Sequence, residues 1–325
     1  MKNRIVALAG GVGGAKMADG LARAADPEDL TVIVNTGDDF EHLGLHICPD
    51  LDTVCYTLAG IANPETGWGL RDETWNAMAS LVKLGGPDWF QLGDRDLGTH
   101  LQRTQLLKEG VPLSEITRRF CNVWGVRVEV LPMSDDPVST WVLTETGELP
   151  FQEYFVHQRC EPRVSGFRIA GLESARPAPG VLERLEEAEL IVICPSNPWV
   201  SIFPILEVPG IKKALGAVQA AGALILTVTP IIGGTAVKGP AAKMYTELGI
   251  RPSAFAVAAH YCRVLGAGRV AGFVLDEVDA AQAAQIQSLG IQTHISKTLM
   301  LSAEDRVRLA REILEFGKRI RRNRN

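Results

Sequence analysis

The stretch RIVALAGGVGGAK, residues 4–16, decides the fold of this chain. Its first half is a short apolar run rich in strand-forming residues, and it passes directly into four glycines within residues 10–14. Beyond the glycines, small and apolar residues recur with a period near 3.6 as far as Ala25, which is the spacing of a helix that faces a core. Strand, glycine loop and helix together predict the start of a βαβ unit.

The same pattern returns late in the chain. Apolar runs at 30–34, 190–193 and 223–228 predict buried strands, and runs at 254–258 and 270–275 predict two more. The first strands are apolar on both faces, as in a parallel sheet that is covered by helices. Helices are predicted at 209–218, 241–248 and 303–320, the last with Ser302 as N-cap and Asp305 in a capping box.

The middle of the chain has a different pattern. Residues 60–120 are predicted to be helical, and residues 126–170 to form a strand meander. We therefore predict an α/β fold, with a Rossmann-like, mainly parallel sheet core formed by residues 1–58 and 188–325 and an inserted α+β region at residues 59–187. The strands of the meander are predicted at 126–131, 138–144, 151–156 and 164–169.

The composition excludes several classes of protein. Of the 325 residues, 46% are hydrophobic and 22% are charged, which is ordinary for a globular chain. The net charge of −5 argues against general electrostatic binding of nucleic acid, and the basic cluster at 318–324 is interpreted as a solvated helix end. No Cys-x-x-Cys spacing is present, which excludes a zinc ribbon. No apolar run reaches about 18 residues and no signal pattern is seen, so we expect a cytoplasmic protein without a membrane span.

The glycine loop is the first candidate binding site, because ligands of open α/β sheets bind at the carboxyl ends of the strands. Glycines let backbone N–H groups approach a phosphate, and the N-terminus of the next helix favours an anion. Four glycines within five residues exceed what a tight turn requires, although the loop matches neither the dinucleotide nor the Walker fingerprint. The predicted phosphate ligands are Gly10, Gly11, Val12, Gly13, Gly14 and Lys16.

Acidic side chains follow the second predicted strand. Asp38, Asp39, Asp50 and Asp52 lie within a short stretch of the chain. Carboxylates of this kind suit Mg²⁺, which usually binds one or two of them together with substrate phosphates. We predict that at least one of Asp38, Asp39 and Asp50 binds a metal or a substrate hydroxyl. The alternatives are that Asp50 or Asp52 caps a helix at 53–60, and that His42 and His46 are packed or surface residues.

Three other segments are weaker candidates. Ser196 and Asn197 offer hydrogen bonds of the kind that a base or a ribose uses, and the glycines at 231–235 admit a second close backbone approach. An ordinary turn explains each of these loops equally well. Aromatic residues beside charged turns at 67–74 and 88–97 could form a wall for a flat ring system, and the alternative is that Trp68 and Trp75 are the core of a helical cap.

Taken together, these segments resemble the 2-phospho-L-lactate transferase (CofD) family of coenzyme F420 biosynthesis, over nearly the whole chain. The glycine loop alone also occurs in relatives that are not transferases, whereas its combination with GWG and LGDRDL is highly specific. The segments that carry the resemblance are GGVGGAK at 10–16, NTGDD at 35–39, ICPDLDTVCYT at 47–57, GWGLRDETW at 67–75, WFQLGDRDLGT at 89–99, FQEYFVHQ at 151–158 and PSNPWVSIFPIL at 195–206.

The resemblance implies a reaction and its substrates. The acceptor is Fo, a deazaflavin with a ribityl chain, and the donor is a guanosine diphosphate whose terminal phosphate bears lactate, enolpyruvate or glycerate. The ribityl hydroxyl attacks the acid-bearing phosphorus, GMP leaves, and the product is coenzyme F420-0 or its dehydro form. The resemblance further implies Mg²⁺ as the cofactor, these small molecules as the partners, and a homodimer.

The same resemblance implies roles for the core residues. Asp38 and Asp50 are the catalytic candidates, which hold Mg²⁺ or orient the attacking hydroxyl. The glycine loop and Lys16 hold the diphosphate, as expected for phosphoryl transfer, which depends on charge neutralisation and positioning. Ser196 and Asn197 lie on the guanosine side.

Fo is implied to lie between the core and the inserted region, near Asp50 and Trp89. Trp89 replaces a basic residue that is common in the family at this position, which favours stacking over charge pairing. The inserted region then forms the deazaflavin side of the site and contributes to the dimer contact.

Two other functional classes are open at this point. Relatives with the same core and glycine loop bind nucleotide-sugars and regulate cell-wall metabolism without catalysis, but the aspartates and the aromatic insertion favour a transferase. A nicotinamide oxidoreductase is disfavoured because the loop lacks the third glycine, although the second strand does end in acidic residues. No residue indicates which three-carbon acid the donor bears.

Overall fold

The computed structural model describes residues 4–324, and its elements are numbered here along the chain. The strands are β1 (Ile5–Ala9), β2 (Leu30–Val34), β3 (Phe40–His42), β4 (Leu45–Ile47), β5 (Glu129–Pro132), β6 (Ser139–Thr144), β7 (Gly147–Pro150), β8 (Val164–Ala170), β9 (Leu190–Ile193), β10 (Leu224–Val228), β11 (Ile231–Ile232), β12 (Thr235–Ala236), β13 (Gly272–Asp276) and β14 (Gln292–Ser296). The α-helices are α1 (Gly11–Ala24), α2 (Pro49–Leu58), α3 (Asn76–Lys83), α4 (Asp96–Lys108), α5 (Leu113–Val123), α6 (Val181–Glu186), α7 (Phe203–Glu207), α8 (Ile211–Ala220), α9 (Ala241–Glu247), α10 (Ala254–Leu265), α11 (Ala283–Gln287) and α12 (Ala303–Arg324).

Seven strands form one parallel sheet at the centre, in the order β14-β13-β10-β9-β1-β2-β5. The chain builds outward from β1 through β2 on one side, and it later returns to build through β9 on the other side. The switch point of the sheet therefore lies between β1 and β9, where a binding cleft is expected beyond the carboxyl ends. This topology confirms the predicted α/β, Rossmann-like fold.

Both faces of the central sheet are buried, as the apolar strands predicted. Val6 and Leu8 of β1 point into one hydrophobic core, which also contains residues of α6 to α10. Ile5 and Ala7 point into the opposite core, which α1, α2, α5 and α12 cover. Because successive strand residues face opposite sides, a strand buried on both faces must be apolar throughout.

The predicted strand at 126–131 is correct in kind but wrong in place. It overlaps β5 at 129–131, and β5 pairs in parallel with β2, so that Val130 lies opposite Val32 at the edge of the central sheet. The inserted region at 59–187 therefore contributes a strand to the core sheet. The domain boundaries themselves stay a prediction.

Two other predicted strands are helical. Residues 151–156 form helical turns that continue to His157, and this spacing buries Phe151 and Tyr154 together. Residues 254–258 open α10, whose N-cap Ser253 accepts a hydrogen bond from the backbone N–H of Ala256 at 3.0 Å. A short apolar run does not distinguish a strand from a buried helix by its periodicity.

Besides the helical turns at 151–157, the rest of the inserted region contains α3 to α6 and a three-stranded antiparallel sheet in the order β7-β6-β8. Trp68 and Trp75 are 46% and 41% exposed, so the interpretation of these two side chains as a helical core is wrong. The capping box of α12 is confirmed, since Ser302 and Asp305 each accept a hydrogen bond from the backbone N–H of the other. Across residues 4–324, every helix is too short or too polar to cross a membrane.

Candidate active site

A cavity of about 650 Å³ opens at the switch point of the sheet, between the core and the inserted region. Gly14 was predicted for the site but does not contribute to the wall of the cavity, because it is buried behind the loop. The predicted residues that line the cavity are Gly10, Gly11, Val12, Gly13, Lys16, Asp38, Asp50, Trp89, Ser196 and Asn197.

The glycine loop is packed against the segment that follows β9. Ser196 Oγ accepts a hydrogen bond from the backbone N–H of Gly10 at 3.1 Å and donates one to the Gly10 carbonyl at 2.8 Å. A Cβ atom at Gly13 would collide with the carbonyl oxygen of Pro195, and one at Gly14 would collide with Ser196 Oγ. The glycines are therefore needed for this close approach, and Ser196 holds the loop in place.

Asp50 lies in the first turn of α2 and contacts the glycine loop directly. One carboxylate oxygen accepts a hydrogen bond from the backbone N–H of Gly11 at 2.7 Å, and the other accepts one from Asn35 Nδ2 at 2.9 Å. The helix begins at Pro49 rather than near Thr53, and neither of these bonds caps it. The capping alternative is thus wrong for Asp50, whose carboxylate lies at the N-terminus of α1.

Asp38 and Asp50 form a buried acidic pair that fits a hard cation. Oδ1 of Asp38 is buried and has no hydrogen-bond partner among the described residues. Burial raises the pKa of Asp38 well above its usual range, and the charge of Asp50 adds to this shift. Burial likewise raises the pKa of Asp50 to about 6, against the hydrogen bonds from Asn35 and Gly11, which lower it. Two carboxylates in this position suit Mg²⁺, whose preferred ligands are oxygens.

Asp39 does not line the cavity, unlike Asp38. Its Oδ2 lies 3.6 Å from His46 Nε2, and candidate ligand atoms of Asp39, His46 and Cys48 lie within 4.8 Å of one another. A thiol and an imidazole are poor ligands for Mg²⁺, so this cluster does not fit the magnesium site predicted from the sequence. Of the predicted aspartates, the structure brings Asp38 and Asp50 together and leaves Asp39 outside.

Lys16 and Asn197 line the cavity but also make structural contacts. Lys16 Nζ donates a hydrogen bond to the Met300 carbonyl at 2.9 Å. Burial lowers the pKa of Lys16, and the charges of Arg306 and Lys238 lower it further. Asn197 caps the helical turn at 198–202, where its Oδ1 accepts from the backbone N–H of Trp199 at 3.0 Å.

An aromatic wall closes the side of the cavity that belongs to the inserted region. The Trp89 ring stacks on His157 at a centroid distance of 5.1 Å and meets the His42 ring edge-on at 4.9 Å. Burial lowers the pKa of His42, which favours the neutral imidazole that this packing requires. His42 is therefore a packed residue, which was one of the two alternatives, and Trp89 presents an aromatic surface to the cavity.

Sequence reasoning missed a polar network in the floor of the cavity. Arg103 of α4 is buried and forms a salt bridge with Asp52 of α2. Next to it, His100 lies 3.5 Å from Asp96, which accepts a hydrogen bond from Tyr56 at 2.5 Å. The spacing of Asp96, His100 and Arg103 by four and three residues, which places them on one helix face, is the signal that could have found this network.

Comparisons with known proteins identify the family of this chain. A family model described as 2-phospho-L-lactate transferase CofD matches residues 5–299. A protein of Streptomyces griseus subsp. griseus named phosphoenolpyruvate transferase is 45% identical over 323 residues, which cover 98% of this chain and 99% of the relative. A protein of the same name from Streptomyces coelicolor is 44% identical, and the match covers 98% of this chain and 99% of that protein. Another from Thermobifida fusca is 46% identical, and the match covers 85% of this chain and 87% of that protein.

A solved structure resembles the fold of the whole chain. The crystal structure of a member of the UPF0052 family from Bacillus halodurans superposes with a TM-score of 0.64. The match covers 97% of this chain and 99% of the other, at 17% sequence identity. At this identity the likeness concerns the fold alone.

Proposed function

The chain belongs to the 2-phospho-L-lactate transferase (CofD) family, and from this premise we propose that it transfers a phospho-three-carbon-acid group from a guanosine diphosphate donor to the ribityl hydroxyl of Fo. It is a transferase that acts on phospho-acid groups, in a family of coenzyme F420 biosynthesis. The names of the curated relatives favour phosphoenolpyruvate as the transferred group. The products are then GMP and the dehydro form of coenzyme F420-0.

The observation that carries this proposal is the buried pair Asp38 and Asp50 beside the N-terminus of α1. The first N–H groups of a helix lack partners within the helix, and the helix dipole favours an anion there. The carboxylate of Asp50 takes the N–H of Gly11, which leaves those of Val12 and Gly13 for the donor diphosphate. An acceptor hydroxyl that contacts Asp38 would therefore lie close to the phosphorus atoms of the donor, at the same end of the cavity.

The reaction forms one P–O bond and breaks another. The ribityl oxygen attacks the phosphorus that bears the acid, and the bond from that phosphorus to the bridging oxygen breaks, so that GMP leaves with the electron pair. The hydroxyl proton passes to a carboxylate, and Asp38 is the better acceptor because its Oδ1 is without a partner among the described residues. Asp50, whose oxygens already accept two hydrogen bonds, orients the glycine loop.

Mg²⁺ is proposed as the cofactor, held by Asp38 and Asp50. When bound, it supplies positive charge that offsets the charge on the transferring phosphoryl group. The aromatic wall with Trp89 is proposed to stack on the deazaflavin ring of Fo, since offset ring pairs are favourable. A homodimer in the cytoplasm is proposed on the family resemblance alone, and size-exclusion chromatography with light scattering tests the dimer.

The direct test is a transfer assay. The protein is mixed with Fo, Mg²⁺ and each guanosine diphosphate donor in turn, bearing enolpyruvate, lactate or glycerate. GMP release is followed by chromatography, and the product mass identifies the transferred acid. We expect the enolpyruvyl donor to react fastest. Tight nucleotide binding without GMP release from any donor would contradict the transferase and indicate a binding protein of the same fold.

A further inference from the structure

Lys238 lies at the mouth of the cavity, just beyond β12, where three segments of the chain meet. Its Nζ donates a hydrogen bond to the carbonyl of Thr66 at 2.5 Å. A Cβ atom built on the neighbouring Gly67 would lie 3.3 Å from Lys238 Nζ and 2.7 Å from Val12 Cγ1. The ammonium of Lys238 therefore lies beside the glycine loop, on the side of the inserted region.

The charges around the cavity leave this ammonium available to an anion. Lys16 donates a hydrogen bond to the carbonyl of Met300 and Lys238 donates one to that of Thr66, and neither ammonium forms an ion pair with a carboxylate within residues 4–324. Among the described residues that line the cavity, the ammonium groups are those of Lys16 and Lys238, and the carboxylates are those of Asp38, Asp50, Asp52 and Asp96. Because the carboxylates outnumber the ammonium groups, each ammonium in the cavity favours the binding of a diphosphate.

We propose that Lys238 binds the diphosphate of the donor against the glycine loop, opposite Lys16. The identity of the donor rests on the proposed function, whereas the diphosphate itself is inferred from the two lysines and the glycine loop. An ammonium has three N–H donors, so Lys238 keeps its bond to Thr66 while it binds phosphate oxygens. Donor binding thereby becomes coupled to the inserted region.

The segment that Lys238 holds is a compact loop, called here the insertion loop (residues 62–70). Its ends pair through a bridge between Ala62 and Leu70, and the backbone N–H of Gly67 donates to the carbonyl of Asn63 at 3.0 Å. Gly67 has a φ of +78°, in the left-handed region that favours glycine. Because the loop is internally bonded, a contact at Thr66 positions all of it, including the exposed Trp68 at the cavity wall.

The test uses inorganic pyrophosphate and GDP as probes, each titrated with Mg²⁺ into the full chain by calorimetry. Lys238→Met removes the charge at an exposed position, and Lys238→Arg restores it. We expect the Kd for both probes to rise at least about tenfold in Lys238→Met, as for the loss of a charge-assisted hydrogen bond, and to recover largely in Lys238→Arg. Lys213→Met, on the exposed face of α8, is the matched control and should bind as the wild type does.

A second readout follows the insertion loop by hydrogen exchange. Pyrophosphate should slow exchange in the peptide that spans 62–70 in the wild type and not in Lys238→Met. Unchanged affinity in Lys238→Met, or a wild type that binds neither probe, would overturn the inference. The failure of this inference can be told apart from the failure of the proposed function. Pyrophosphate binding that depends on Lys238 supports this inference even if no donor yields GMP. Conversely, full transfer by Lys238→Met with unchanged probe affinity would contradict the role of Lys238 and leave the proposed transferase function intact.

Discussion

Both carboxylate oxygens of Asp50 accept hydrogen bonds, one from Gly11 and one from Asn35. This places a negative charge at the N-terminus of α1, where the sequence predicted a phosphate. An anionic side chain and an anionic substrate at one helix terminus repel each other unless a cation lies between them. The position of Asp50 is therefore one physical reason to expect Mg²⁺ at this site, and the buried Oδ1 of Asp38, which no group within residues 4–324 hydrogen-bonds, is the other.

Asp50→Asn keeps the shape of the side chain and removes its charge. In the wild type, the two carboxylate oxygens accept hydrogen bonds from the N–H groups of Gly11 and Asn35. The asparagine amide replaces one of these oxygens with an NH₂ group, which cannot accept, so one of the two hydrogen bonds must be lost. We expect GMP release at saturating Fo and donor to fall at least about tenfold, or roughly 1.4 kcal/mol of transition-state stabilisation. Asp26→Asn, at an exposed N-cap where Asn serves equally well, is the control. Wild-type turnover in Asp50→Asn would contradict the catalytic assignment and leave Asp38.

Asp38→Asn tests the buried charge through the pH dependence of stability. The pKa of Asp38 is raised by burial above its ordinary value of 3.8, so the folded protein holds a proton that the unfolded chain releases. The free energy of unfolding of the wild type therefore falls as the pH rises from 3.8 to the raised pKa of the folded state. The variant has no carboxyl group at this position, so its stability does not fall for this reason. We expect the melting midpoint of Asp38→Asn to exceed that of the wild type at pH 7.5, with a smaller difference at pH 4.5. A difference that does not change with pH would argue against a raised pKa.

At the scale of elements, the contact between α2 and α4 joins the core to the inserted region. Arg103 of α4 and Asp52 of α2 form a buried salt bridge beneath the cavity. The same helix α2 presents Asp50 from its first turn, two residues earlier. The inserted region therefore does more than carry aromatic residues, because it also anchors the helix on which Asp50 lies.

Arg103→Met tests this anchor. The change leaves Asp52 buried without its partner, and breaking a buried pair from one side typically costs about 3 kcal/mol or more. We expect the free energy of unfolding in urea to fall by roughly that amount. Arg118→Met breaks an exposed pair with Glu115 on α5 and serves as the control, with stability unchanged within error. Equal stability of Arg103→Met and the wild type would show that the pair does not hold the two regions together.

At the scale of the whole molecule, the site exists only where the two regions face each other. The core contributes the glycine loop and the acidic pair at the switch point between β1 and β9, and the inserted region contributes the aromatic wall and the insertion loop. A ligand that contacts both regions stabilises the folded chain by mass action. Thermal stability in the presence of ligands therefore reports on the assembled site.

GDP and Mg²⁺ together should raise the melting midpoint by more than the sum of their separate shifts. The carboxylates of Asp38 and Asp50 would repel the diphosphate directly but bind it through the metal, so that each ligand increases the affinity for the other. A melting series at fixed pH with GDP, Mg²⁺, both and neither measures this coupling. Strictly additive shifts would count against a shared metal site.

Sequence alone was sufficient for the features that depend on local pattern. The run RIVALAGGVGGAK predicted β1, the glycine loop and α1, and the strands apolar on both faces predicted a parallel sheet. Because ligands bind at the carboxyl ends of such strands, Asp38, Asp50 and Lys16 could be assigned to one site before their distances were known. The structure places all three in the wall of one cavity.

Tertiary structure decided what depends on residues distant in the chain. It placed β5 in the core sheet and made 254–258 a helix, since a short apolar run fits either structure until its neighbours are known. The bonds from Gly11 to Asp50, Arg103 to Asp52 and Lys238 to Thr66 span 39, 51 and 172 residues. Periodicity and propensity act over a few residues, whereas these pairs form only when packing brings their elements together.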